Sequence, residues 1–333
     1  SRVSLRAVFL AVAAGLVISL AYLRVGEQLL GLQLSLGFTG ICCGVALAAA
    51  ASSITALYSA ARRASMLVIT DASFSTAGIL VSMLAVQFVR REWHWASTYL
   101  VVCSVAAMIF GLAASARFPG PGSPAGSAGE ELPAADLSPA IWPAPVWLCV
   151  AALFLYTLGQ YSLLWWFPLH LEYAFALPRD HAGAVVSRFW TGMFLAQLFV
   201  AWCVLRIGVT RMMLFGAVGA LLGTLPLVLG GRVELIPTLA VLWGFANLGL
   251  LKTVIAFATL TVPTPRPSLV STLLFGATAG TAVSPYLTSA VVDVFGYGAV
   301  LRFGALCYAT MLVLLLLSAY LARARSLARE ARL

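Results

Sequence analysis

The chain has 333 residues, of which 62% are hydrophobic and 9% charged, and its mean hydropathy is +1.00. Soluble globular domains carry about 45–50% apolar and about 25% charged residues, so this composition excludes a soluble enzyme, a nucleic-acid binder and a secreted disulfide module. The formal net charge of +9 comes from arginines set between apolar runs rather than gathered in one patch, so it gives no footprint for nucleic acid.

Long apolar runs with short charged punctuation describe an all-α, polytopic membrane helix bundle. With roughly 20 apolar residues needed per crossing, ten transmembrane helices are expected. They cover 4–23, 29–58, 65–89, 95–115, 145–168, 182–205, 211–230, 235–260, 268–291 and 298–321. The joints hold charges or helix breakers, such as Arg62–Arg63, Arg90–Arg91–Glu92, Arg206 to Arg211 and Pro263 to Pro267. One joint differs. Residues 116–144 combine Pro119, Gly120, Pro121, Gly122, Pro124, Gly126 and Gly129 with Glu130, Glu131 and Asp136, the composition of a flexible linker.

That linker sets the domain expectation: a truncated half-bundle over 1–115, a cytoplasmic linker over 116–144, and a six-helix bundle with a basic tail over 145–333. Arg2, Arg6, Arg62, Arg63, Arg117, Arg206, Arg211, Arg266, Arg323, Arg325, Arg329 and Arg332 share one side with the linker and the C-terminus. Arg24, Arg90, Arg91, Arg179 and Arg232 face the other side. The positive-inside bias therefore puts linker and C-terminus in the cytoplasm. Many transporters join two six-helix halves by such a loop. Four spans before the linker, and a first residue that is not Met, lead us to expect that two N-terminal helices are missing.

No H-E-x-x-H, G-x-S-x-G or G-x-x-x-x-G-K-[ST] pattern occurs, and no group assembles a nucleophile with a base, so neither an enzyme nor a metal or cofactor site is expected. The histidines His94, His170 and His181 fall at outer helix ends, as interfacial imidazoles would. The six cysteines all lie in apolar runs and are read as reduced thiols.

Polar residues inside spans carry the information, because each is costly in lipid and normally faces the bundle interior or water. Lys252, the sole lysine, lies within 235–260; an ammonium there costs about 2.5–3.5 kcal/mol on insertion scales. It is read either as an anion-binding or gating group, or as a stem snorkelling to the interface. Tyr156 and Gln160 are four apart and share one face, suited to a hydroxyl-rich ligand, although an amide also bonds helix to helix. Asn247 and Gln33 complete the expected substrate-binding set. Asp71, the only acid lodged in a span, is read as a proton carrier, a gating partner or half of a structural pair. Arg188, Arg206 and Arg211 join it as coupling or gating candidates. Gly40 and Gly44, like Gly276 and Gly280, form G-x-x-x-G stripes expected to pack helices closely.

Gly276-x-x-x-Gly280-x-x-x-Ser284-Pro285 through Asp293-x-x-Gly296 resembles the eleventh-helix signature of the major facilitator superfamily. Arg206-Ile-Gly208-Val-Thr-Arg211 resembles a degenerate form of its basic loop between helices eight and nine, without the usual acid. Thr70-Asp71-x-x-Phe74-Ser75-x-x-Gly78, Leu158-Gly159-Gln160, Ala182-Gly183-x-x-Val186-Ser187-x-Phe189-Trp190 and Val262-Pro263-x-Pro265 resemble TsgA-type permeases of the fucose-permease branch. Tyr156-x-x-x-Gln160 is similar to that branch's seventh helix.

The resemblance implies a secondary active transporter with alternating access and a central site built by helices one, four, seven and ten. Its partners would be a small polar solute (a sugar or organic acid), the bilayer and protons, with the chain a monomer. Two departures follow. The first helix of the family has no counterpart here, and span 29–58, the fourth, carries no acid, so the branch's acid-dependent sugar–proton symport does not carry over. Lys252 stands where hydroxyl or apolar residues are more usual, which suggests a more anionic solute. The alternative is a truncated scaffold or partner protein without transport.

Overall fold

The computed structural model describes residues 5–57, 60–116, 142–229, 232–262 and 267–330, with side chains left out at 48, 51, 52, 55–57, 60–72, 201, 204, 205, 267, 326 and 328–330. Among these residues every regular element is a helix. In chain order they are α1 Leu5–Val25, α2 Leu29–Leu57, α3 Ala60–Arg90, α4 Ser97–Ser115, α5 Ala144–Phe175, α6 Arg179–Ile207, α7 Val209–Val228, α8 Ile236–Ala246, α9 Leu250–Leu260, α10 Pro267–Phe295 and α11 Ala299–Glu330. A single 3₁₀ turn, Val233–Leu235, leads into α8. Helix is the one open-ended element whose backbone polar groups are all satisfied within a segment, which lipid demands.

Nine spans among the described residues are long and apolar enough to cross a bilayer, α8 and α9 counting together as Val233–Leu260. The tenth, α10, has 29 residues but is rich in Ser, Thr and Gly, and these small residues serve its packing on α5. Among the described residues, ten helical segments therefore stand where ten spans were expected, nine of them long and apolar enough to cross. The linker 117–141, the 263–266 segment and the side chains of Arg62 and Arg63 lie outside the described residues.

Three boundaries depart from expectation. α5 runs to Phe175, continuing through Pro168. A proline inside a helix removes one backbone bond and is tolerated where tertiary packing holds both sides. The helix stops only at Ala176, which takes a left-handed φ of 51° ahead of Pro178. α11 continues to Glu330 through Ala, Leu and Arg, strong helix formers whose basic side chains suit a helix C-terminus. The single span expected over 235–260 is broken at Asn247–Gly249, with left-handed φ at Leu248 (44°) and Gly249 (59°).

The chain separates into two compact units: α1, α2, α4 and the flanks of α3 form one, and α5–α11 with Ser75–Met83 of α3 form the other. In the first unit α1 packs on α2 and α4. Ser35 Oγ donates to Ser19 O at 2.6 Å and Thr39 Oγ1 to Ser19 Oγ at 2.9 Å, while Gly15 faces Cys42 and Phe38. In the second unit α5 is central and buried nearly all round, against α10 on one side and α11 on the other.

Glycines explain those approaches. A Cβ at Gly276 would lie 2.8 Å from Val150 O, and one at Gly280 would run into Phe154 O, so α10 meets α5 backbone to backbone as its G-x-x-x-G stripe leads one to expect. Gly40 and Gly44 differ: nothing lies within 4 Å of a Cβ built on either. That stripe on α2 is open, since α1 packs on another face of the helix, and the close-packing expectation is corrected there. All six cysteines are free thiols.

Candidate functional site

The second unit gathers its polar side chains on the middle of α5 and on the broken α8–α9 helix. Tyr156 is 2% and Gln160 4% exposed, one turn apart on α5, with Thr157, Gly159 and Ser162 buried beside them. Lateral contacts hold this stretch on both sides. Thr157 Oγ1 donates to Ala277 O of α10 at 2.7 Å. Ser162 Oγ lies 3.1 Å from Ser284 Oγ and 2.5 Å from Thr288 Oγ1. Gly159 lets α11 approach, since a Cβ there would meet Gly304 O at 3.2 Å.

The Tyr156 ring lies 6.2 Å from that of Tyr308 on α11, and the Tyr308 hydroxyl sits beside the Trp243 indole of α8. Trp243 is fully buried and stacks at 4.2 Å on Phe189 of α6. Neither Trp243 Nε1 nor Tyr308 Oη completes a hydrogen bond. Buried polar atoms are nearly always paired, and each left unpaired costs about 1–3 kcal/mol.

Asn247 occupies the break itself and is fully buried. Its Nδ2 donates to Trp243 O at 2.6 Å, closing the end of α8, while its Oδ1 has no partner. Leu250 N–H donates to Asn247 O at 2.9 Å and Thr253 N–H to Gly249 O at 3.2 Å, which restarts the helix as α9. Small residues of α7 cradle the turn. A Cβ on Gly216 would stand 3.2 Å from Asn247 O, and one on Gly219 would collide with Ala246 O.

Of the residues expected to bind solute, Tyr156, Gln160 and Asn247 are thus buried within one unit. Lys252, in the first turn of α9, is exposed, and Gln33 is exposed on α2 of the other unit. Arg188 and Arg211 are exposed, and Arg206 lies 4.4 Å over the Trp202 ring in a cation–π contact. Asp180, at the start of α6, meets His181 Nδ1 at 3.1 Å. The side chain of Asp71 lies outside the described residues.

Trp243 and Tyr308 were not singled out from sequence. A lone aromatic in an apolar run carries no mark of which helix it will face. Gln197 was missed too; its Nε2 donates to Ser75 Oγ at 2.8 Å, while its Oε1 is buried without a partner. The break at Asn247–Leu248–Gly249 did leave a signal, because Asn and Gly are the residues that most readily end a helix in left-handed conformation.

No known protein-family profile matches the chain. Curated relatives are similar along nearly its whole length. The TsgA homolog of Yersinia enterocolitica is 26% identical over 313 residues, 93% of this chain and 78% of that protein. The TsgA homolog of Serratia proteamaculans is 25% identical over 311 residues, 93% and 78% respectively. Among solved structures, the major facilitator superfamily transporter FucP in its outward conformation superposes with a TM-score of 0.61 at 15% identity, covering 95% of this chain and 84% of that one. The E. coli fucose:proton symporter FucP, in a variant form, gives 0.59 with the same identity and coverage. The chain therefore has the fold of the major facilitator superfamily transporter FucP and is similar over nearly its whole length to TsgA homologs.

Proposed function

We propose that the protein is a secondary active transporter that carries a small polar solute, a sugar or an organic acid, across a bacterial inner membrane by alternating access, with its C-terminus in the cytoplasm. One observation carries the reading. Tyr156, Gln160, Trp243, Asn247 and Tyr308 bring amide and hydroxyl groups into the middle of a membrane-buried helix unit, and three of their polar atoms have no protein partner. A solute with several hydroxyl or carboxyl oxygens supplies the missing donors and acceptors. It gains more there than in water, because each new bond relieves an existing desolvation cost.

The helix break supports the same reading. Irregular backbone at membrane depth persists only where it is packed in protein or lines a cavity, and in transporters such breaks sit at binding sites. Lys252, a few residues past the break, supplies a positive charge for a solute carboxylate. Gln33 of α2 is likewise proposed to contact the solute. Coupling to protons rests on likeness to FucP, a fucose:proton symporter. Asp71 is the carboxyl proposed to carry the proton, and Arg188, Arg206 and Arg211 are proposed to gate.

The test is uptake into proteoliposomes holding the purified chain, with labelled sugars and organic acids offered under an inward proton gradient. Gln160→Ala and Asn247→Ala should each lower uptake of the accepted solute by about two- to tenfold, the worth of one lost hydrogen bond. Uptake unchanged in both variants would remove these residues from the site.

A further inference from the structure

A cavity of about 360 Å³ opens at one end of the second unit, where the C-terminal ends of α5 and α7 meet the N-terminal ends of α8 and α11. None of the proposed solute-binding residues lines it. Its walls are apolar, with Phe167, Leu171, Leu227 and Leu301 buried. Two side chains break that pattern: His170 of α5 and Arg302, in the first turn of α11, both face the cavity. No carboxylate lines it, and among the described residues Arg302 has no ion-pair partner.

Aromatic rings cluster near the same ends of α5 and α11. Tyr297 stacks on Tyr173 at 4.6 Å and lies 6.2 Å from Trp166, and Gly298, beside Tyr297, is part of the lining. Tyr and Trp gather at the headgroup level of a bilayer, with apolar ring faces toward the chains and polar edges toward water. By that pattern this end of the unit stands at headgroup level, and the cavity lies between its helix ends.

We infer that this cavity is a binding site for an anionic phospholipid. One acyl chain fills the apolar cavity, and the phosphate rests against the Arg302 guanidinium with His170 beside it. The charge pattern selects the ligand: a cation with no protein partner at the rim calls for an anion, and the apolar floor calls for a hydrocarbon chain on the same molecule. The inference stands apart from the solute reading, since it involves none of the same side chains and its readout is binding.

The full chain is purified in detergent and its bound lipid is measured by native mass spectrometry, titrating dioleoyl phosphatidylglycerol against dioleoyl phosphatidylethanolamine. Phosphatidylglycerol should occupy one site in preference. Arg302→Gln should weaken that preference by roughly fivefold, the worth of one basic residue near an anionic headgroup. Gly298→Leu should lower occupancy by both lipids. A Cβ there stands 3.4 Å from His170 Cε1, an ordinary contact, so the added side chain enters the cavity without displacing backbone. Equal retention of the two lipids by the unaltered chain would overturn the inference, as would Arg302→Gln and Gly298→Leu both leaving retention unchanged. Displacement of phosphatidylglycerol by glycerol 3-phosphate alone would make the ligand a soluble phosphate, and displacement by oleate at equal concentration would make it a fatty acid; either overturns the phospholipid assignment.

Discussion

Gly249 is the residue where backbone geometry speaks most plainly. It takes φ 59° with only Val200 side-chain carbons near its absent Cβ, at 3.8 and 3.9 Å, so Gly249→Ala fits sterically but is strained. The left-handed conformation costs a Cβ-bearing residue about 1–2 kcal/mol, and thermal unfolding in detergent should show a lower midpoint for this variant. Tyr308 tests the opposite case. Its hydroxyl is buried and unpaired, so Tyr308→Phe should leave stability equal or raise it by up to about 1 kcal/mol. The same variant should lower solute uptake if that hydroxyl binds cargo. A loss of stability in Tyr308→Phe would mean that the hydroxyl already has a partner in the folded protein.

At the scale of elements, the second unit is held by backbone-to-backbone contact more than by large side chains. Gly192 and Gly244 let α6 and α8 touch: a Cβ on Gly192 would overlap Val241 O, and one on Gly244 would overlap Phe189 O. Such carbonyls cannot swing aside as a flexible side chain can. Gly244→Ala should therefore destabilise by about 1–3 kcal/mol and lower the monodisperse fraction on size exclusion. Between α5 and α10 the Ser162, Ser284 and Thr288 hydroxyls form a buried cluster. Interhelical hydrogen bonds in membranes average about 0.6 kcal/mol, so Ser162→Ala should cost far less than the glycine change. Reversal of that order would show that hydroxyls rather than glycines lock these helices.

For the whole molecule, the ten spans and their charge bias make a topological prediction. A fluorescent protein fused after Leu333 should fold and fluoresce in the cytoplasm, whereas alkaline phosphatase fused in the α7–α8 connection near Arg232 should be active outside. Inactivity there would reverse the proposed orientation and, with it, the side on which Arg206 and Arg211 act.

Much of this protein was legible before any coordinates. Span number, approximate boundaries and the Tyr156–Gln160 face follow from hydropathy and helical period, since a lipid solvent forces every crossing into helix and makes each polar insertion stand out. The close packing of Gly276 and Gly280 was legible for the same reason, but an identical spacing at Gly40 and Gly44 meets nothing in its unit; period describes a stripe, not what lies opposite it. α5 and α11 outran their expected ends because helix propensity does not stop where the hydrocarbon does. The break at Asn247–Gly249, the unpaired Trp243 and Tyr308, and the meeting of His170 with Arg302 at one cavity were decided by tertiary structure. Each joins residues far apart in the chain or depends on what packs beside them, whereas hydropathy and period report only on neighbours along a single helix.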